Sequence, residues 1–157
     1  MFEPVPQRRP LYSVPAGLLE RTAMHEALTA AHAANQRLAR GIAVVIAASV
    51  RDLLTAGHPE APLDATHIEL ADEGNGSLYL TGTYWTGTGR QRTFHSTEGV
   101  ENAEEARAAL NEWAQCLDGR HSETWLPLVT ARQLIDDGYV YCTYRLDLAK
   151  AAALSLD

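Results

Sequence analysis

His67, Glu69 and His95 are the residues of this chain whose types best suit chemistry, since two imidazoles and a carboxylate can exchange protons or hold a small ligand. All three fall in runs where side-chain character alternates: Thr66–Asp72, Ser77–Trp85, Arg90–His95 and Tyr139–Asp147. One parity of these runs is oily, with Ile68, Leu70, Leu78, Leu80, Phe94, Val140, Cys142 and Leu146. The other holds His67, Glu69, Tyr79, Thr81, Thr83, Trp85, Thr93, His95, Tyr139, Tyr141, Thr143 and Arg145. Successive side chains of a strand point to opposite faces, so the second set lines one face of a sheet. With His67 and His95 on strands either side of Ser77–Trp85, they stand roughly 10 Å apart. A ligand bridges that distance and a direct hydrogen bond does not. Tyr, Trp, Thr and Arg together suit a contact surface better than a reaction centre, with Tyr79, Thr81, Thr83, Trp85, His95, Tyr139, Tyr141 and Arg145 as the partner-binding set.

Other chemical motifs fall short. His25-Glu26-Ala27-Leu28-Thr29 begins like the zinc-protease helix HExxH but has Thr29 where the second histidine is needed, and His32 lies about 10 Å along the helix axis from His25. His95-Ser96-Thr97 matches half of the paired H-x-T/S signature that resembles the two-histidine phosphoesterases. His67-Ile68-Glu69 and His121-Ser122-Glu123 do not supply the other half. Gly87-Thr88-Gly89 joins two strands rather than a strand and a helix, so it reads as a hairpin turn and not a dinucleotide fingerprint. Cys116 and Cys142 have no metal-ligand spacing and are expected to be buried thiols. No cofactor and no metal is expected.

The elements that must position these residues are legible from periodicity and breakers. Met1–Pro15 carries Pro4, Pro6, Pro10 and Pro15 and is expected to be an extended arm preceding a single domain over residues 16–157. Ala16–Ala56 is helical in pattern, with Met24, Leu28, Ala31, Leu38, Ile42, Val45, Ser49 and Leu53 at helical spacing and a stop at Gly57-His58-Pro59. So long a helix either breaks near Gly41 or packs its excess against a second copy, which makes a homodimer the expected state. Glu73-Gly74-Asn75-Gly76 and Thr86-Gly87-Thr88-Gly89 supply the turns of a meander. Glu101–Leu117 forms a second amphipathic helix with acids in its first turn. Thr130–Asp137 is expected to be a short helix capped by Thr130, and Ala149–Leu156 an apolar tail docked on the domain.

Charge is divided unevenly within a formal total of −7. Residues 1–60 have six arginines against five acids, and residues 61–157 have seven basic residues against fifteen acids. Nucleic-acid binders carry a basic excess, so weak or no binding to double-stranded DNA is expected at physiological salt. Ile42–Val50, the oiliest run, is far shorter than the ~20 residues that span a bilayer. With no charged-then-apolar leader and two cysteines, a cytoplasmic setting is the expectation.

One stretch nevertheless has a local basic character. Ser77–Trp85, Gly87-Thr88-Gly89-Arg90-Gln91-Arg92-Thr93-Phe94 and Ala103-Glu104-Glu105-Ala106 together resemble the strand–turn–strand–helix of arm-type DNA-binding domains in phage integrases. That resemblance implies a sheet entering the major groove with Arg90 and Arg92 at phosphates.

The chain therefore reads as an α+β domain. A long N-terminal helical segment packs on a mainly antiparallel four-stranded sheet, a meander plus a C-terminal strand, with the second helix beside it. Its expected function is non-catalytic protein binding, as in a small regulatory, adaptor or immunity-type protein, through the aromatic and Thr-rich face. A small-ligand or enzymatic site around His67, Glu69 and His95 is the alternative, and sheet-in-groove DNA binding a further one.

Overall fold

Apolar residues two apart in the strands and three to four apart in the helices meet on one side of a sheet. The computed structural model describes residues 22–58, 60–72, 74, 76–94, 103–119 and 122–157; the arm Met1–Pro15 and His95 lie outside them. In chain order the elements are α1 (Thr22–Thr55), β1 (Ala65–Asp72), β2 (Leu78–Thr86), β3 (Gln91–Thr93), α2 (Ala103–Gln115), α3 (Ser122–Trp125), a 3-10 turn (Leu126–Leu128), β4 (Val129–Asp136), β5 (Tyr139–Asp147) and α4 (Leu148–Ala152). The strands form one five-stranded sheet in the order β3-β2-β1-β5-β4, and every neighbouring pair is antiparallel. The α+β class is as the sequence predicts, with one strand more.

That additional strand corrects the reading of Thr130–Asp137 as a helix. Asp137 and Gly138 both have positive φ, 47° and 81°, the backbone of a tight two-residue hairpin turn. This turn folds Val129–Asp136 against Tyr139–Asp147 in an unbroken register from Asp136↔Tyr139 to Val129↔Leu146.

The chain divides into two units, Met1–Ala33 and Ala34–Asp157. In the first, the described residues are helical, and Met24 and Leu28 are exposed. The second holds the sheet and its core. Ala39, Ile42, Ala43, Ile46, Ala47, Val50 and Leu53 form the buried stripe of α1, while Leu38 and Val45 are exposed. This face is rotated from the expected one through Leu38, Val45 and Ser49. Helix α1 runs through Gly41 without a break and ends where Ala56 and Gly57 take positive φ and Gly57 N–H donates to Asp52 O at 2.9 Å.

The α1 stripe, Ile68, Leu70, Leu78, Tyr84, Phe94, Leu146, Leu110 and Leu117 of the α2 region, Trp125 and Leu148 make one core cluster. The docked tail is as expected in part: Ala151 is buried and Leu154 packs against the core, while Leu156 is exposed. Cys116 is exposed and Cys142 half-buried, so Cys116 is not the buried thiol its position beside the helix stripe implied. No helix among the described residues is long and apolar enough to cross a membrane.

Candidate functional site

The sheet face turned away from the core cluster is shaped by two irregularities in the β1–β2 ladder. The register passes from Ala65↔Thr86 to His67↔Trp85, so Thr66 is a one-residue bulge. Its hydroxyl lies 3.3 Å from Trp85 O and 3.4 Å from Thr86 O, donating toward the partner strand that its own backbone has left. The second irregularity lies between Ile68↔Tyr84 and Leu70↔Leu80, where Gly82 takes a φ of 91°. Two extra residues of β2 are accommodated there, so the alternation of faces survives. Leu80 N–H, displaced from the ladder, donates to Asn111 Oδ1 of α2 at 2.9 Å.

Most of the expected contact residues share this face. Trp85 stands across from His67, Glu69 across from Arg145, Thr83 across from Thr93 and Tyr141 across from Leu134. Thr81 is exposed and its hydroxyl donates to Glu69 Oε1 at 2.8 Å. Trp85 itself is only 7% exposed although it is no part of the core cluster. Arg145 reaches over β1 and stacks on Trp85, with its guanidinium carbon 3.9 Å from the ring centroid. Such a stack is electrostatic, cation against ring face, and about 0.5–2 kcal/mol strong. Trp125 lies on the opposite side of the sheet, where it meets Tyr144 edge to face with centroids 5.2 Å apart.

At the far end of the face, the β4–β5 hairpin extends beyond the core. Tyr139 is 78% exposed and Tyr141 39%, with half-buried Leu134 between β4 neighbours that are exposed. The face therefore has a charged, stacked centre at Trp85 and Arg145 and an aromatic end at Tyr139 and Tyr141, with Tyr79 half-buried on β2.

His67 has a different set of neighbours from those the alternation implied. Its Nδ1 lies 2.9 Å from Thr66 Oγ1, and its Nε2 is 3.8 Å from Asp147 Oδ2. Asp147 uses its other oxygen to cap α4, accepting from Lys150 N–H at 3.0 Å. The two ring nitrogens of His67 thus contact the Thr66 hydroxyl on one side and the Asp147 carboxylate on the other. His67, Thr66, Asp147 and Arg51 border a cavity of about 560 Å³ whose remaining lining includes Ala47, Leu63 and Leu148. Glu69 does not line it: one pair further along the same face, it stands across from Arg145 and accepts from the Thr81 hydroxyl. No group of three or more His, Cys, Asp or Glu side chains among the described residues could hold a metal ion. Sequence reasoning missed both the bulge and Asp147, whose position as the last residue of β5 and the cap of α4 was the available signal. Comparison with protein-family models, with curated proteins and with solved structures finds no match to this chain.

Proposed function

We propose that this chain is a non-catalytic protein-binding module whose contact surface is the outer face of its sheet. The observation that supports this is the exposure of Tyr139 (78%) and Tyr141 (39%) at the end of a face that also carries Tyr79, Thr81, Thr83, Glu69 and Arg145. Aromatic side chains that stay in water in the free protein contribute area and a polar handle to a complex, and tyrosine is enriched among interface anchors. Trp85 serves this surface from below, as the platform that holds Arg145 in place.

A photo-crosslinking amino acid placed at Thr81, on the face, and at Glu112, on exposed helix α2, tests the proposal in living cells. The expected result is a discrete adduct with another protein from position 81 only, lost when Tyr139 and Tyr141 are both alanine. Equal labelling from both positions, or none from position 81, overturns it.

The cavity beside His67 favours a second reading, a small-ligand site with an apolar body and the polar groups Arg51 and His67 at its border. A small carboxylate with an apolar tail then raises the melting temperature, since binding to the folded state alone stabilises by about 2.7 kcal/mol at a hundredfold excess over Kd. Ala48→Trp, which fills the cavity from α1, should abolish that rise. A screen of such carboxylates with no shift in the wild type, or the same shift in Ala48→Trp, removes this reading.

A further inference from the structure

The two edges of the sheet are unlike. At one, β3 is three residues long and fully exposed, with Arg92 at its centre and Arg90 just before it, so it offers little to pair with. At the other, β4 is eight residues long, Val129–Asp136, without proline, glycine, lysine or a bulge, and its register with β5 is continuous. Unpaired N–H and C=O groups on a long, regular, unprotected edge are a template for another strand.

Which groups point outward follows from the turn. A two-residue hairpin makes its closing pair, Asp136↔Tyr139, exchange both hydrogen bonds, and bonded pairs then recur at every second residue. The backbones of Thr130, Arg132, Leu134 and Asp136 thus face β5, and those of Ala131, Gln133 and Ile135 face outward. Any strand added to this edge must bond to these three.

We infer that the added strand is β4 of a second copy, paired antiparallel about a two-fold axis through Leu134. The segment Arg132-Gln133-Leu134-Ile135-Asp136 is self-complementary about its centre: a cation two residues before it and an anion two residues after it. In this register Arg132 stands opposite Asp136 of the copy, twice, and neither forms an ion pair among the described residues of the free chain. Gln133 and Ile135 stand opposite each other as the bonded pairs, in agreement with the outward-facing set. Shifting the pairing by two residues places Arg132 opposite Leu134 in one direction and opposite Gly138, beyond the end of β4, in the other, and a shift of four in the first direction sets it opposite its own copy. Charge therefore selects one register among those the backbone allows.

The same register covers the apolar residues the hairpin leaves in water. Leu134 meets its copy on the outer face, flanked on each side by Tyr141. On the other face Ile135, 77% exposed, becomes a diagonal neighbour of Ile135 of the copy, with Val140, 62% exposed, behind each. Two five-stranded sheets become one of ten strands, and the outer faces of the two copies run on from each other.

Light scattering across a concentration series tests this on the full chain. The mass should rise from 17.1 kDa toward twice that value. Gln133→Pro removes an outward N–H without touching a β4–β5 bond, and should hold the mass at 17.1 kDa with an unchanged melt. Arg132→Asp and Asp136→Arg should each weaken association by at least about tenfold through like-charge juxtaposition, and the double variant should recover it. A monomer at every concentration, a double variant no better than the singles, or a dimer that survives Gln133→Pro and is lost in Leu38→Lys on α1 overturns the inference. Crosslinking from position 81 is read on the face and not the edge, so its outcome stands apart from this one.

Discussion

Trp85→Ala should lower folding stability by about 3 kcal/mol, within the range for deleting a buried aromatic ring. For a domain of this size that is a fall of roughly ten degrees in melting temperature. The ring is 7% exposed although it lies outside the core cluster, and the Arg145 guanidinium stacks on it. Water can refill part of the space, which keeps the cost at the low end. Arg145→Ala, which uncovers the ring without removing it, should cost about 1 kcal/mol, the strength of the stack it breaks. Thermal melts of the two variants decide the matter. An unchanged melt in Trp85→Ala, with loss of the crosslink from position 81, would make Trp85 a direct anchor instead of a platform.

Trp125→Ala should cost more, about 4 kcal/mol, because its cavity lies inside the core where nothing can refill it. Trp125 is part of the core cluster, its Nε1–H donates to Asp118 O at 2.9 Å, and its ring meets Tyr144 at an interplanar angle of 80°. It thereby ties the turn after α2 to β5. Trp125→Phe keeps the ring contact and loses the hydrogen bond, at about 1 kcal/mol. A second readout comes from Tyr144. Burial first, with the nearby Cys142 and Asp72 adding to it, holds its hydroxyl above the ordinary tyrosine range. Removing Trp125 opens that site to water, so the absorbance titration of Tyr144 should move down toward the ordinary value. A melt unchanged in Trp125→Ala, or a Tyr144 titration that stays where it was, would contradict the packing described.

The sequence by itself determined the class, the meander, the second helix and the final strand, since Tyr139–Asp147 alternates along its whole length. It also determined which face of each strand is oily, because alternation is a local property of extended backbone and needs no knowledge of neighbours. Even the two-residue enlargement at Gly82 left that assignment intact. The fifth strand was legible too: Asp137-Gly138 between two runs is a strong hairpin signal, and Thr130 as a helix cap competed with it for the same residues.

Only the tertiary structure decided three matters. It decided that α1 buries Ala39, Ala43 and Ala47 and not Leu38 and Val45, since helical spacing allows neighbouring stripes and what packs against the helix selects one of them. It decided that His67 meets Thr66 and Asp147 at the border of a cavity that Glu69 does not line, since which groups reach a side chain depends on how distant strands and helices are brought against it. And it decided that Trp85 lies under Arg145, a residue sixty positions away that no spacing along the chain could connect to it. Local pattern fixes which way a side chain points; what meets it there depends on how distant segments are brought together.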